Sequence, residues 1–519
     1  MFQKFTLTLA LLVVLLSAGS AFGGDVLTDL YRDTKIITLT GLLDFQVVWR
    51  EDFFDSIFPR NNHPGPYHKG TDQDELFINP ILGIKFKAEL PERFFGTIAL
   101  RTLPDAYGAE QGLLSQNTAS FHIQEASIGA EEFISSSMDL FIGLLPVKVD
   151  LRENGDCFFI NVQESENPFT GAVHTDPAVH AVPASVTGIP VPLPGSGYSW
   201  NGFLGGNAWW NNYAGQSMAG EFGGMHLRVN AFEDAFTLDV YAGYTMETGL
   251  QGTDGFLFLA TPQFEFDLSG TDQDKSKVLA YMALIQGDKD TALGALGFGF
   301  DLWFYKDWFE VFCEYVGQFG EYTSETRAMA HDVTHQSGNA FYAGVRFEPK
   351  FDIQKTDFRP FFEISYWWVS GDDGNALEHN RDFVSFEDVD TLLIMESNDV
   401  GLDVDCNYRA LKWEIGFKLE VFEFSVRYGM FYIVHGPHKP TFGYPGTSDG
   451  KYDKLLGNEV DVRFTFKLQE HVEITAVAAI LFDAEFWDQS TESRGLRPLP
   501  WHGSGTDAGL GLLEFKLKF

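Results

Sequence analysis

Pairs of charged residues two positions apart, set among apolar side chains, recur along this chain: Lys85 and Lys87, Lys412 and Glu414, Asp461 and Arg463. In an extended strand residues i and i+2 point the same way, so each pair shares one face and leaves an apolar face behind it. Read this way, the charged face carries Lys85, Lys87, Arg101, Arg228, Arg346, Arg359, Lys412, Arg427 and Arg463. It also carries Asp239, Asp301, Glu310, Glu314, Glu363, Glu414 and Asp461. The chemistry open to such a face is electrostatic. It can bias the passage of ions and polar solutes, or its members can pair across strands and stiffen a wall. Covalent chemistry lacks its motifs, since the chain has no HExxH, no GxSxG and no P-loop. His331 and His335 have a metal-ligand spacing only on a helix, and their surroundings read as loop. No enzyme, metal or cofactor is expected.

The elements that must carry these faces are strands. Ile37, Leu39, Gly41, Leu43, Phe45, Val47 and Trp49 alternate with a more polar set over one long segment, which is the period of a two-faced strand. The last residues do the same: Leu513, Phe515, Leu517 and Phe519 face one way, Glu514, Lys516 and Lys518 the other. Similar segments run from Leu76 to Phe86, Phe94 to Leu103, Ser120 to Ala130, Met138 to Val149, Glu221 to Phe232 and Phe236 to Glu247. Further segments are Val278 to Gln286, Thr291 to Phe304, Trp308 to Gly320, Asn339 to Glu348, Phe358 to Val369 and Arg409 to Val421. Phe424 to Val434, Leu455 to Leu468, Val472 to Phe482 and Gly509 to Phe519 complete the series.

Connections alternate between long polar stretches and tight turns, the habit of a barrel crossing a bilayer with long loops outside and short turns in the periplasm. That alternation breaks unless Gly255 to Phe266 is also a strand. With it the sequence predicts an all-β, transmembrane, antiparallel up-and-down β-barrel of about 18 strands. A soluble sandwich also alternates, but aromatics such as Phe358, Phe362, Tyr366 and Trp368 crowd the apolar faces. Many segments are also about ten residues long, enough to cross a bilayer at a tilt.

Lys4, the apolar run Leu7 to Leu16 and the small residues after it give residues 1–23 the form of a secretory signal. The apolar run is too short for a confident membrane helix, and no later stretch is long enough. The expected organisation is a signal peptide at 1–23 and one barrel domain at 24–519, placed in a bacterial outer membrane. Cys157, Cys313 and Cys406 form no framework. Cys157 and Cys406 could pair if two loops meet, and Cys313 reads as a buried or lipid-facing thiol. A net charge of −37 argues against a nucleic-acid partner. Its loop-like acidic runs, such as 71–75, 270–274 and 370–374, are solvated loops, or they hold divalent cations that bridge to lipopolysaccharide phosphate.

The longest connection, residues 150–219, is expected outside the membrane, and it is long enough to fold inward and constrict the lumen. Arg152, Trp200, Trp209 and Trp210 are its constriction candidates. Aromatics there would suit sugar rings, although a capping loop packed on its own aromatics is an equal reading.

Three segments resemble the alginate-export-type family of outer-membrane channels. They are Tyr366-Trp-Trp-Val-Ser-Gly-Asp-Asp373, Lys454-Leu-Leu-Gly-Asn-Glu-Val-Asp461 and the strand that runs from Met138 into Leu151-Arg-Glu-Asn-Gly155. The resemblance implies an 18-stranded barrel that passes a polysaccharide or another solute. A channel for a polyanion should have a strongly basic constriction, and the mixed faces here depart from that. The expected function is therefore an outer-membrane channel for diffusion of small or sugar-like solutes. Polysaccharide export is the alternative among channels, and a plugged barrel acting as a surface adhesin is the alternative of another class. The expected partners are outer-membrane lipid, lipopolysaccharide and a small-molecule or saccharide solute.

Overall fold

The structure, a computed structural model, describes residues 36–51, 75–89, 93–103, 120–146, 151–152, 221–232, 235–244, 256–270, 275–286, 292–323, 333–353, 356–371, 379–381, 383, 391–396, 408–434, 455–468, 471–483 and 508–518. Among them the chain forms twenty-one strands. The first eight are β1 (Ile36–Glu51), β2 (Glu75–Glu89), β3 (Phe94–Leu103), β4 (Ser120–Ala130), β5 (Met138–Pro146), β6 (Glu221–Ala231), β7 (Phe236–Tyr244) and β8 (Phe256–Phe266). Next come β9 (Ser276–Gln286), β10 (Ala292–Phe304), β11 (Phe309–Thr323), β12 (Val333–Gln336), β13 (Asn339–Phe347), β14 (Phe351–Ile353) and β15 (Thr356–Val369). The last are β16 (His379–Asn380), β17 (Tyr408–Leu419), β18 (Phe422–Ile433), β19 (Leu455–Leu468), β20 (Val472–Phe482) and β21 (Ala508–Lys518).

Each wall strand pairs antiparallel with the next, and β21 closes the ring on β1, with Phe515 opposite Phe45 and Leu517 opposite Leu43. Three short strands lie outside the ring. β11 pairs directly with β13, β13 with β15 and β15 with β17. β12 pairs with the end of β11 and runs parallel to β16, and β14 folds back on the start of β15. Removing these three from the twenty-one leaves a closed wall of eighteen strands. Closure gives every wall strand two neighbours, so no unpaired edge faces lipid.

The wall is turned inside out relative to a soluble domain. Outward positions carry Leu39, Ile128, Ile142, Phe298, Ile364 and Leu513, all exposed. An apolar band of this extent does not persist in water, and it matches the lipid-facing belt of a membrane barrel. Near one rim the outward rings Phe358, Phe417, Phe422, Phe424, Phe464 and Phe466 form a chain of neighbouring contacts, with centroids 4.8–5.8 Å apart along it. That is an aromatic girdle of the kind found at membrane interfaces. The alternation read from sequence is thus a transmembrane barrel, and Gly255 to Phe266 is a wall strand, β8, paired with β7 and β9.

The connection at 305–307 is tight enough to put Tyr305, Lys306 and Asp307 at φ 48°, 60° and 58°, in the left-handed region. Trp308 N–H then donates back to the Phe304 carbonyl at 3.2 Å.

Several expectations need correcting. Of the strand expected from Met138 to Val149, the described part is Met138 to Pro146, and 147–149 lie outside the described residues. Of the one expected to reach Glu247, the described part runs from Phe236 to Tyr244. The gap expected from Glu321 to Gly338 is partly strand, because β11 runs to Thr323 and finds a partner in β12. His335 therefore lies on a strand, 3.0 Å from Glu321, which removes the helical spacing a metal pair would need. The gap from Gly371 to Tyr408 contains β16 and an inward turn described below. Residues 1–23, Cys157, Cys406, His331, Trp200, Trp209, Trp210 and Phe519 lie outside the described residues. Cys313 is a free thiol on the outward face of β11.

Candidate functional site: a charged lumen narrowed from one side

The period of two that points leucine and phenylalanine outward points the charged set inward. Lys85, Lys87, Arg228, Asp239, Asp301, Glu310, Glu314, Arg346, Glu363, Lys412, Glu414, Arg427, Asp461 and Arg463 all occupy inward positions of their strands. Arg101 sits at the inward register opposite Gly83, its side chain outside the described set. Arg359 stands close to the mouth, paired with Asp357.

Most of these charges are spent on one another. Lys85 meets Glu125 at 2.9 Å. Asp239 accepts from Arg228 Nε at 2.8 Å and lies 2.6 Å from His226 Nε2. Across the other wall, Arg346 bridges Glu348 at 2.7 Å and Glu363 at 3.3 Å. Arg427 donates to Glu414 at 2.9 Å, and Glu514 joins Lys516 at 2.9 Å and Gln46 at 3.0 Å. Arg463 lies among Arg427, Glu414, Glu514 and Asp461. Opposite signs meet across many neighbouring strands, although Glu363 stands opposite Glu414 on β15 and β17. Asp301 and Glu314 are buried, taking hydrogen bonds from Trp303 Nε1 and Tyr281 OH respectively.

Two segments from the connections enter the lumen. The first is Leu151-Arg152, the described part of the connection expected to constrict. Arg152 is 4% exposed. Its Nε donates to Glu310 Oε1 at 2.7 Å and its terminal nitrogen to Glu363 Oε2 at 2.9 Å. Its guanidinium also lies 3.6 Å from the centroid of the Phe312 ring. The planar fork of arginine suits a site that must reach two carboxylates and a ring at once. Leu151 is seated where Gly299 leaves the wall without a side chain: a Cβ there would stand 2.6 Å from the leucine.

The second is the turn Thr391 to Glu396, and every amide in it has an acceptor. Thr391 and Leu392 N–H donate to Glu396 Oε2 at 3.2 and 3.1 Å. Leu393 N–H donates to Asp461 Oδ2 at 2.9 Å. Ile394 and Met395 N–H donate to the two oxygens of Glu459 at 2.5 and 2.8 Å. Glu396 N–H donates to the Leu392 carbonyl at 3.3 Å. Lys412 Nζ reaches Glu396 and Thr391 Oγ1, and Arg427 donates to the Thr391 carbonyl at 2.8 Å. Leu392, Ile394 and Met395 are all buried. Each amide stripped of its acceptor here would cost about 1–3 kcal/mol.

Aromatic rows fill the wall between these anchors. Phe312, Tyr342 and Trp367 succeed one another on β11, β13 and β15, the last two stacked at 4.5 Å, with Lys412 3.8 Å from the Trp367 ring. On the opposite wall Phe141, His226 and Tyr241 stack at 5.0 and 4.1 Å. In both rows ring faces are turned to other rings, which leaves little flat surface for a sugar. The wall from β10 to β19 is therefore packed like a protein core, and the row on β5 to β7 carries similar packing to the opposite side.

Sequence reasoning missed the inward turn, together with His226 and Tyr281. The signal was there: Leu392-Leu-Ile-Met395 is an apolar run inside a polar connection, and such a run needs something to bury it.

A closed ring, apolar outside and charged inside, defines a transmembrane β-barrel of the outer-membrane type. No family model and no curated protein matches the chain. Among solved structures it is similar to the outer membrane protein OpdK of Pseudomonas aeruginosa, at 10% identity over 94% of this chain and 100% of that one, with a TM-score of 0.46. It is also similar to OpdO of the same organism (9% identity, 94% and 99%, TM-score 0.46) and to its OccK2, or OpdF (10%, 94% and 98%, TM-score 0.46). The barrel itself rests on the strand pairing of this chain.

Proposed function

We propose that the protein is an outer-membrane channel through which small polar solutes diffuse, selected by width and by wall charge. The observation that carries this reading is the eighteen-strand closed wall with charged residues along its inner face. A ring of that size encloses more space than wall side chains fill, and 16–18-stranded barrels of this kind hold aqueous channels. Inward segments cover the wall from β10 to β19, so the passage is placed away from them, on the side of the accessible inward charges. Lys85, Lys87 and Arg228 are its proposed lining, and Asp44 and Asp239 lie buried in the wall.

Because these charges are largely paired, the passage favours neutral or weakly charged solutes of sugar size. A polyanion exporter of the alginate type needs an unneutralised basic constriction, and Arg152, Arg346 and Arg427 each face carboxylates instead. The small-solute reading is therefore preferred over polysaccharide export. The tight turns are assigned to the periplasm and the longer connections, including 150–219, to the outside. Liposome swelling tests the proposal. Proteoliposomes should swell in isotonic small sugars and far more slowly in polysaccharide, whereas no swelling in any solute would oppose a channel.

A further inference from the structure

We infer that the turn Thr391 to Glu396 sets the width of the passage, and that Glu459 and Asp461 are the positioning residues that hold it deep in the lumen. This rests on the channel reading. The turn's wall partners lie four to six residues in from their strand ends: Lys412 from Tyr408, Asp461 from Leu455 and Arg427 from Ile433. At the rise of a strand that is roughly 13–20 Å along the wall. The hydrocarbon core is about 30 Å thick, so the turn stands near its middle and is not a cap at the mouth.

The attachment is specific in kind. Three consecutive backbone amides, Leu393 to Met395, point at one patch of wall and are accepted by two carboxylates on β19. Those two side chains come from positions two apart on one strand, so a single inward face supplies all three acceptors. Fit reinforces this polar seat, because Gly429 on β18 leaves the space that Leu392 occupies: a Cβ there would lie 2.3 Å from the leucine. Three of the turn's amides depend on the wall carboxylates, while Glu396, through Lys412, and the Thr391 carbonyl, through Arg427, add further ties. The seat that sets the width is therefore built chiefly by β19, with Lys412 on β17 and Arg427 and Gly429 on β18 completing it.

The test uses the full-length protein in planar bilayers, with neutral poly(ethylene glycol)s of graded size as blockers, so that the readout is width and not charge. Two variants are compared with the parent: the double substitution E459A/D461A, and a deletion of residues 391–396 that leaves the wall untouched. A shift in gel mobility on boiling identifies folded barrels. The expected result is that both variants admit larger polymers and show unitary conductance raised about twofold or more, as a widened constriction requires. If the parent conducts and the folded deletion variant keeps its size cut-off, the inference is overturned while the channel reading stands. A deletion that widens the passage beside a folded E459A/D461A that does not would remove the positioning role from the carboxylates. A silent parent with conducting variants would support the turn as the closing element and overturn the open-channel reading. Silence from all three folded proteins would overturn both. Should E459A/D461A fail to fold, the deletion alone decides whether the turn sets the width, and Gly429→Val, which crowds Leu392 with no change of charge, takes its place in testing the seat.

Discussion

Arg152 is the clearest case of a single side chain doing several tasks. It neutralises two buried carboxylates and covers Phe312, and through Leu151 it tethers the connection that follows β5. Removing one partner of a buried pair costs about 3–5 kcal/mol, because the other charge is left unpaired. R152A should lower the unfolding free energy in detergent titrations by that order. R152K should not restore it, since an ammonium lacks the fork that spans Glu310 and Glu363; a neutral R152A would contradict the assignment. Arg463 is half-exposed in a cluster of both signs. Reversing it to Glu should move the reversal potential under a salt gradient toward cation selectivity, and an unmoved potential would place it away from the ion path. Alternation in sequence was enough to assign the inward charges to one face. Which charge meets which was not legible, because pairing depends on strand register. Glu363 answers both Arg346 and Arg152 only because β13, β15 and a distant connection converge.

At the scale of elements, β8 was legible only through its neighbours. Its residues Phe256 to Phe266 include Pro262 and no charge before Glu265, a weak strand signal by itself, and the alternation of long and short connections placed it. The inward turn had no such help, since alternation describes walls and says nothing of what fills them. The extra strands β12, β14 and β16 were missed because they extend the ladder beyond the periodic segments. The two faces of a wall strand should respond oppositely to charge. Phe298 stands outward at the middle of β10 and is 53% exposed. Phe298→Arg should cost about 2–4 kcal/mol of folding free energy in bilayers, the penalty for arginine at the membrane midplane. Gln263→Arg on β8 faces the lumen beside Glu265 and should cost far less. Equal penalties would contradict the assigned facing of these strands.

For the whole molecule, the ring closure of β21 on β1 explains why an acidic chain with so many exposed aromatics is a coherent fold. Lipid takes the apolar face, the lumen takes the charged face, and hydrogen-bonded neighbours on both sides satisfy the backbone. The eighteen-stranded architecture that the resemblance to alginate-export-type channels implied is the one found here. The decisive measurement is the single-channel current of the purified, heat-modifiable protein in a planar bilayer. The account predicts stepwise currents, weakly ion-selective and smaller than an unobstructed bore of eighteen strands would carry. Folded protein that inserts and passes no current would contradict it.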